Sequence, residues 1–323
     1  MANVLARIGI YGDMHLCSKN YGAHRDYPKE SMEYFSKITE TVQKRGITHL
    51  IGTGDFSFGR FHSNEYRLFV ENELQKQYNL TNGNRYELRG NHDEAGYGLT
   101  ERDFYVAKGL LKPSTNLTIG NLHITMVDYG KMDGTVPNII DNQDNINIAV
   151  AHDYLKFKDT KLPNFGKGID LDNYENWFGL DYLVCGHVHK DMEFEGNIIK
   201  DGMAHLVHVN YPGCMMRPAY REGVMDEKGK VIVITLFDDG KMDVDAEYID
   251  LWSLDKSFNL EKKQKQLAKK EEQAARVDIS DIVKQLDTHD RNVGSPEEII
   301  NAMSGIDSKY KDKAISLLNM ALG

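Results

Sequence analysis

The chain has 323 residues, 41% of them hydrophobic, enough for one large domain with an appendage or for two ordinary domains around packed cores. A formal net charge of −10 argues against a protein that coats nucleic acid unaided, because phosphate binding is driven largely by Lys and Arg displacing counterions. Cys17, Cys185 and Cys214 are odd in number and in no Cys-x-x-Cys pattern, which argues against a disulfide framework or a zinc ribbon and leaves reduced thiols. From Asp255 to Gly323 there are 12 basic and 12 acidic residues, so the excess negative charge lies in residues 1–254. The N-terminal run 4–11 is too short and too polar for a signal peptide, and no apolar stretch reaches membrane length, so a cytoplasmic location is expected.

In chain order, residues 4–11 form a β-branched and aliphatic run that predicts a buried strand, with Gly12-Asp13-Met14-His15 at its exit. Met32, Phe35, Ile38 and Val42 recur at helical spacing over 30–45, and Gly46 supplies the stop. A second strand over 48–53 leaves at Gly54-Asp55, so two strands separated by a helix each end in Gly-Asp. A βαβ unit with its site at the strand C-termini has this form. Ser63 can cap a helix whose stripe is Tyr66, Phe69, Val70 and Leu74. The next strand ends in Gly90-Asn91-His92-Asp93, where Asn91 offers an amide oxygen, His92 a titratable ring, and Asp93 a carboxylate that can orient that ring.

Thr100 opens a helix expected to run through Leu111, and 117–127 reads as a hairpin turning at Gly120-Asn121. A strand over 146–151 delivers His152. Residues 154–172 mix Tyr154, Phe157 and Phe165 with Lys156, Lys158, Lys161 and Lys167, either a solvated loop or a lip that contacts bases and phosphates. The strand 182–185 leaves at Gly186-His187-Val188-His189; further strands are expected over 205–211, 230–237 and 244–251. Beyond residue 255 the texture changes to a Lys/Glu/Gln-rich helical linker over 255–277 and a small helical module over 278–323.

Polar groups at strand exits thus collect in order as Asp13 and His15, Asp55, Asn91 and His92, His152, then His187 and His189. Each alone is ordinary turn chemistry. Together, carboxylate, imidazole and amide oxygen make a borderline ligand set suited to Mn²⁺, Fe²⁺ or Zn²⁺. One Asp between two His-rich half-sites can bridge a pair of metals about 3.5–4 Å apart, which lowers the pKa of a shared water and clamps phosphoryl oxygens. Hydroxide attack on phosphorus is the expected reaction.

Asp13-x-His15, Gly54-Asp55, Gly90-Asn91-His92-Asp93, the lone His152 and Gly186-His187-x-His189, in that order, resemble the calcineurin-like metallophosphoesterases over roughly residues 8–213. The resemblance implies that Asp13, His15, Asp55 and His189 hold one metal while Asp55, Asn91, His152 and His187 hold the other. It implies too that His92 faces the scissile phosphate with Asp93 supporting its ring, both counted as catalytic. The implied fold is mixed α/β (α+β), a four-layer β-sandwich flanked by helices, with a small C-terminal helical module.

Residues 178–189, Tyr211-Pro212-Gly213-Cys214-Met215-Met216-Arg217 and 228–234 are similar to the SbcD-type DNA repair and phage recombination nucleases. That likeness implies a nuclease domain over 1–216, C-terminal strands or a small cap over 217–254, and a terminal module that docks on an SbcC-type coiled-coil ATPase. The implied activity is a DNA exonuclease, or endonuclease on single strands, with two divalent metals, Mn²⁺ foremost. A homodimer through the phosphoesterase domain is a further expectation. The rivals are a small-molecule or phosphoprotein phosphoesterase using the same metals, and a silent scaffold on the same fold.

Overall fold

In the computed structural model, residues 2–20, 23–93, 99–140, 144–158, 160, 168–217 and 228–259 are described, with 261–262, 264–265, 268–269, 300–301, 311–312 and 315. The chain divides into two units, Met1–Phe258 and Asn259–Gly323. Most of the expected linker and terminal module falls outside the described residues.

The first unit begins with β1 (Val4–Tyr11), α1 (Tyr27–Arg45), β2 (His49–Gly52), α2 (Asn64–Leu80), β3 (Arg85–Glu87) and α3 (Glu101–Ala107). It continues through β4 (Leu117–Ile119), β5 (Leu122–Val127), β6 (Ile146–His152), β7 (Leu155–Lys156), β8 (Ile169–Asp170), β9 (Tyr182–Gly186), β10 (Asp191–Lys200), β11 (Met203–Pro212), β12 (Lys228–Phe237), β13 (Met242–Asp250) and α4 (Leu254–Ser257). Asp26 caps α1 by accepting the Lys29 N–H, and Pro28 suits the first turn, so this helix starts three residues before the expected Glu30. Ser63 caps α2, and Thr100 with Asp103 closes a capping box on α3, which ends at Ala107 and not at Leu111.

The first sheet has the order β13-β12-β1-β2-β3, the second β10-β11-β9-β6-β5-β4, and β7 pairs with β8 in a two-stranded sheet. Strands β1, β2 and β3 run parallel, as do β5, β6, β9 and β11. The two-residue alternation of buried strands divides their side chains between two cores. Ile8 and Ile10 of β1, Ile51 of β2, Ile232 and Ile234 of β12, Ile148 and Val150 of β6 and Val184 of β9 pack in the core between the sheets. From the opposite faces, Tyr11, Leu50, Val231 and Val233 pack against α1 and α2, while Ala149, Ala151, Leu183 and Cys185 meet Tyr154, Phe157, Leu171 and Trp177. Each fully buried aliphatic side chain contributes about 1.5–3 kcal/mol of transfer free energy.

The fold is therefore mixed α/β, with sheets flanked by helices. Among the described residues the α-helices cover the first sheet, and Tyr154, Phe157, Leu171, Trp177 and Leu180, the last three in or beside 3₁₀ turns, cover the second. Strand β12 pairs antiparallel with β1 from Tyr11↔Val231 to Val4↔Phe237. Strands β12 and β13, from the 217–254 stretch, thus complete the first sheet, and the two faces of β12 pack in both of its cores.

Candidate metal centre

Parallel pairing places the C-terminal ends of β1, β2 and β3 beside those of β6 and β9, and the seven residues expected as ligands come together there. Ligand atoms of Asp13, His15, Asp55 and His189 all lie within 4.8 Å of one another. His15 Nε2 is 3.0 Å from His189 Nε2 and 3.8 Å from Asp55 Oδ2, and His189 Nε2 is 3.4 Å from Asp13 Oδ2. In a second group beside it, Asn91 Oδ1 lies 2.9 Å from His187 Nδ1 and 3.1 Å from His152 Nε2, which is 3.5 Å from Asp55 Oδ2. Asp55 belongs to both groups.

Strained backbone aims these side chains. His15, Asp55 and His187 have φ of 48°, 49° and 76°, three of the five positive values among described non-glycine residues. Such conformations cost roughly 1–3 kcal/mol each and persist only where surrounding bonds hold them. Here the His15 N–H donates to Asp55 O at 2.8 Å, the Tyr27 hydroxyl donates to His15 O at 2.8 Å, and the His187 N–H donates to Asp13 Oδ2 at 3.0 Å. Gly54, at φ 115°, has no room for a side chain: a Cβ there would stand 2.5 Å from His152 Nδ1. At Gly90 a Cβ would collide with the Asp55 carboxylate and backbone.

The residues fit a pair of divalent cations. Asp55 Oδ2 is buried without a hydrogen bond, as is His15 Nδ1, and two imidazole nitrogens face each other across 3.0 Å. Burial, reinforced by the neighbouring His189, pushes His15 down to about 3, leaving the neutral ring that a ligand requires. His152 Nδ1–H donates to Thr53 O at 2.9 Å, which leaves Nε2, the nitrogen that faces Asn91 and Asp55, as the one that can hold an ion. Burial opposes a charge on His152, yet the carboxylates of Asp13 and Asp55 raise it to about 9. Burial also works against ionised Asp55, but His152, with Nε2 3.5 Å from Asp55 Oδ2, holds it below the usual carboxylate range. A bound cation would supply the same compensation to the carboxylates of Asp13 and Asp55.

His92 stands beside the first group with its ring exposed, 5.2 Å from the His15 ring and 4.9 Å from Phe58. Among the described residues no hydrogen bond joins the Asp93 carboxylate to that ring. The Asp93 carboxylate accepts N–H groups of Gly90 (3.1 Å), Phe56 (3.2 Å) and Ser57 (3.4 Å), tying the Gly90 turn to the Asp55 loop. Burial and the nearby Asp55 charge raise Asp93 to about 7. The physical reason is directional: in the 3₁₀ turn Asn91–Asp93, His92 faces solvent while Asp93 faces the core.

Tyr154 and Phe157, read as part of either a solvated loop or a substrate lip, are buried in the core outside the second sheet; Lys161, Phe165 and Lys167 lie outside the described residues. Sequence reading missed Thr53, whose hydroxyl donates to Asp13 Oδ1 at 3.1 Å while its carbonyl holds His152. It also missed Cys214, which joins His15 and His189 in a further group of potential ligand atoms. The isolated bridge between Asp13 and Cys214 brings that thiol in, and pairing of this kind leaves no periodic signal.

The family model for calcineurin-like phosphoesterases matches residues 6–191, more than half of the chain. No curated protein matches the sequence. Among solved structures, the chain is similar to a dimetal phosphatase from Danio rerio at 10% identity and a TM-score of 0.45, covering 77% of this chain and 100% of that one. It is similar also to Vps29 from Chaetomium thermophilum at 12% identity and a TM-score of 0.29, covering 76% of this chain and 98% of that one. With a family match running from β1 to the start of β10, the chain belongs to the calcineurin-like phosphoesterase family.

Proposed function

We propose that this phosphoesterase is a metal-dependent phosphodiesterase acting on DNA, exonucleolytic at ends and endonucleolytic on single strands. Its metal is Mn²⁺ and its partner an SbcC-type coiled-coil ATPase. The observation that carries the chemistry is the position of Asp55, one buried carboxylate shared by two groups of ligand atoms. Asp13, His15, Asp55 and His189 would hold one ion and Asp55, Asn91, His152 and His187 the other. Two divalent ions supply an activated water at neutral pH and charge neutralisation on the phosphoryl oxygens.

The chain's own residues do the rest. Thr53 holds both Asp13 and His152, and Asp93 fixes the Gly90 turn to the Asp55 loop, so the donor atoms keep their places. Hydrolysis forms an oxygen–phosphorus bond and breaks an ester P–O bond, and the leaving oxygen takes a proton. His92 is the exposed imidazole beside the ligand cluster that can donate it.

The DNA assignment rests on the likeness of residues 178–189, 211–217 and 228–234 to SbcD-type nucleases. Acidic net charge suits a chain whose partner supplies much of the DNA surface. The test is cleavage of linear single- and double-stranded DNA with Mn²⁺, beside a phosphate monoester and a chelator control. DNA cleavage that stops with chelator supports the reading. Robust monoester hydrolysis with untouched DNA, even when the cognate ATPase is present, contradicts it.

A further inference from the structure

The turn that follows β5 is tied to the strand exits of Asn91 and His152 and packs on His187, the three ligands that belong to the second group alone. Val127 of β5 pairs with Ala151 of β6, so residues 128–130 leave the second sheet beside His152. The Tyr129 N–H donates to Arg89 O at 2.8 Å, and the Arg89 N–H donates to Asp128 Oδ1 at 2.8 Å, two bonds that fix this turn to the one carrying Asn91. The Gly130 N–H donates to Asp153 Oδ2 at 3.3 Å, next to His152. The Tyr129 ring lies on the His187 ring, with centroids 5.8 Å apart and planes 29° from parallel, and it meets His152 edge-on at 6.1 Å. Among the described residues, no hydrogen bond or ring contact joins residues 128–130 to Asp13, His15 or His189.

The two imidazoles of the second group are held in different ways. A histidine that binds a metal through one nitrogen ordinarily donates its other N–H to a fixed acceptor, which stops the ring from turning. His152 has such an acceptor in Thr53 O. His187 presents Nδ1 to Asn91 Oδ1 at 2.9 Å, and among the described residues its Nε2 has no hydrogen-bond partner. Its backbone N–H is bonded to Asp13, but that bond fixes the main chain and not the rotation of the ring. The ring is flanked instead by Tyr129, stacked on its face, and by His152, edge-on at 5.4 Å. Stacking at such a separation is a favoured aromatic geometry that a turn of the ring would break.

We infer that Tyr129 is a positioning residue for the second ion: its ring does for His187 what Thr53 O does for His152, and keeps Nδ1 turned to Asn91. The affinity of one ion of the pair then depends on a side chain that touches neither ion, while the other ion is held without it. Among the described residues the Tyr129 hydroxyl has no hydrogen-bond partner, so the face of the ring and not its polar tip carries this role. The inference rests on the two-ion phosphoesterase reading and adds to it the residue that sets the occupancy of the second ion.

The test titrates the full chain with Mn²⁺ and counts the free ion by its paramagnetic resonance signal, which gives the affinities of the two bound ions without any turnover. Tyr129→Ala should weaken one ion about 10–100-fold, the scale for residues that orient a metal ligand from outside, and leave the other at its wild-type affinity. Tyr129→Leu, which fills more of the space, should do the same and stands in where the alanine variant does not fold. Tyr129→Phe, which keeps the ring, should bind both ions as the wild type does. In a His187→Ala background, Tyr129→Leu should bring no further loss. Unchanged affinities in the alanine and leucine variants, equal weakening of both ions, or a full loss that persists without the His187 ring overturns the inference while the two-ion reading stands. A wild-type chain that binds fewer than two ions overturns both.

Discussion

Asp55 Oδ1 accepts the backbone N–H of His92 at 2.8 Å, while its other oxygen faces the rings of His15 and His152. One carboxylate therefore sets the position of the Gly90 turn and also stands between the two groups of donor atoms. The bond explains why the turn approaches so closely that Gly90 has no space for a Cβ.

His92→Ala should leave metal binding near normal, since the ring is exposed and the bond to Asp55 uses its backbone N–H. Turnover should fall about 10²–10⁴-fold, the usual worth of a positioned acid–base group. The check is kcat beside calorimetric metal affinity. Near-normal kcat removes His92 from catalysis, and lost metal makes it a structural residue.

Gly90→Ala should destabilise the fold by about 1–3 kcal/mol, the ordinary cost of overpacking, because the new methyl must displace the Asp55 carboxylate or backbone. Metal affinity should fall with it. Thermal melts with and without Mn²⁺ read both effects, and a variant with unchanged Tm and unchanged metal response contradicts the packing described.

Acid should weaken the fold through Glu30. Its burial raises its pKa, but contacts with His24, Ser257, Tyr34 and Arg217 outweigh this and leave it below the usual glutamate value. Ser257 Oγ and the Tyr34 hydroxyl donate to Glu30 Oε1 at 2.7 and 2.9 Å. A depressed folded pKa means that this stabilisation is present above the unfolded value, about 4.3, and is lost as pH falls through the folded one. Glu30→Gln should be less stable at pH 7 yet lose less Tm than wild type between about pH 5 and pH 3. Parallel Tm curves for the two proteins contradict the assignment.

Much of the site was legible because its residues leave strands at a fixed place in a repeated pattern. Asp13, Asp55, His152 and His187 each follow an apolar run that reads as a buried strand, and parallel pairing then brings such exits together. The role of Asp93 was not legible, because the turn Asn91–Asp93 points adjacent side chains in opposite directions and only the fold reveals which faces the core. Tyr154 and Phe157 misled for a related reason: interleaved with lysines they resemble a surface lip, but β7 pairs with β8 and turns them inward. Strand β10 was missed because alternating Met192, Glu193, Phe194 and Glu195 is interrupted by Gly196, which the Phe157 ring covers. The place of β12 beside β1 is a long-range pairing that no local pattern encodes.

The central claim is that Asp55 is shared by two divalent ions, and metal stoichiometry tests it most directly. Titration calorimetry with Mn²⁺ should find two ions per chain for the wild type and loss of binding at both sites for Asp55→Ala. An Asp55→Ala protein that is folded and still binds two ions would contradict the claim.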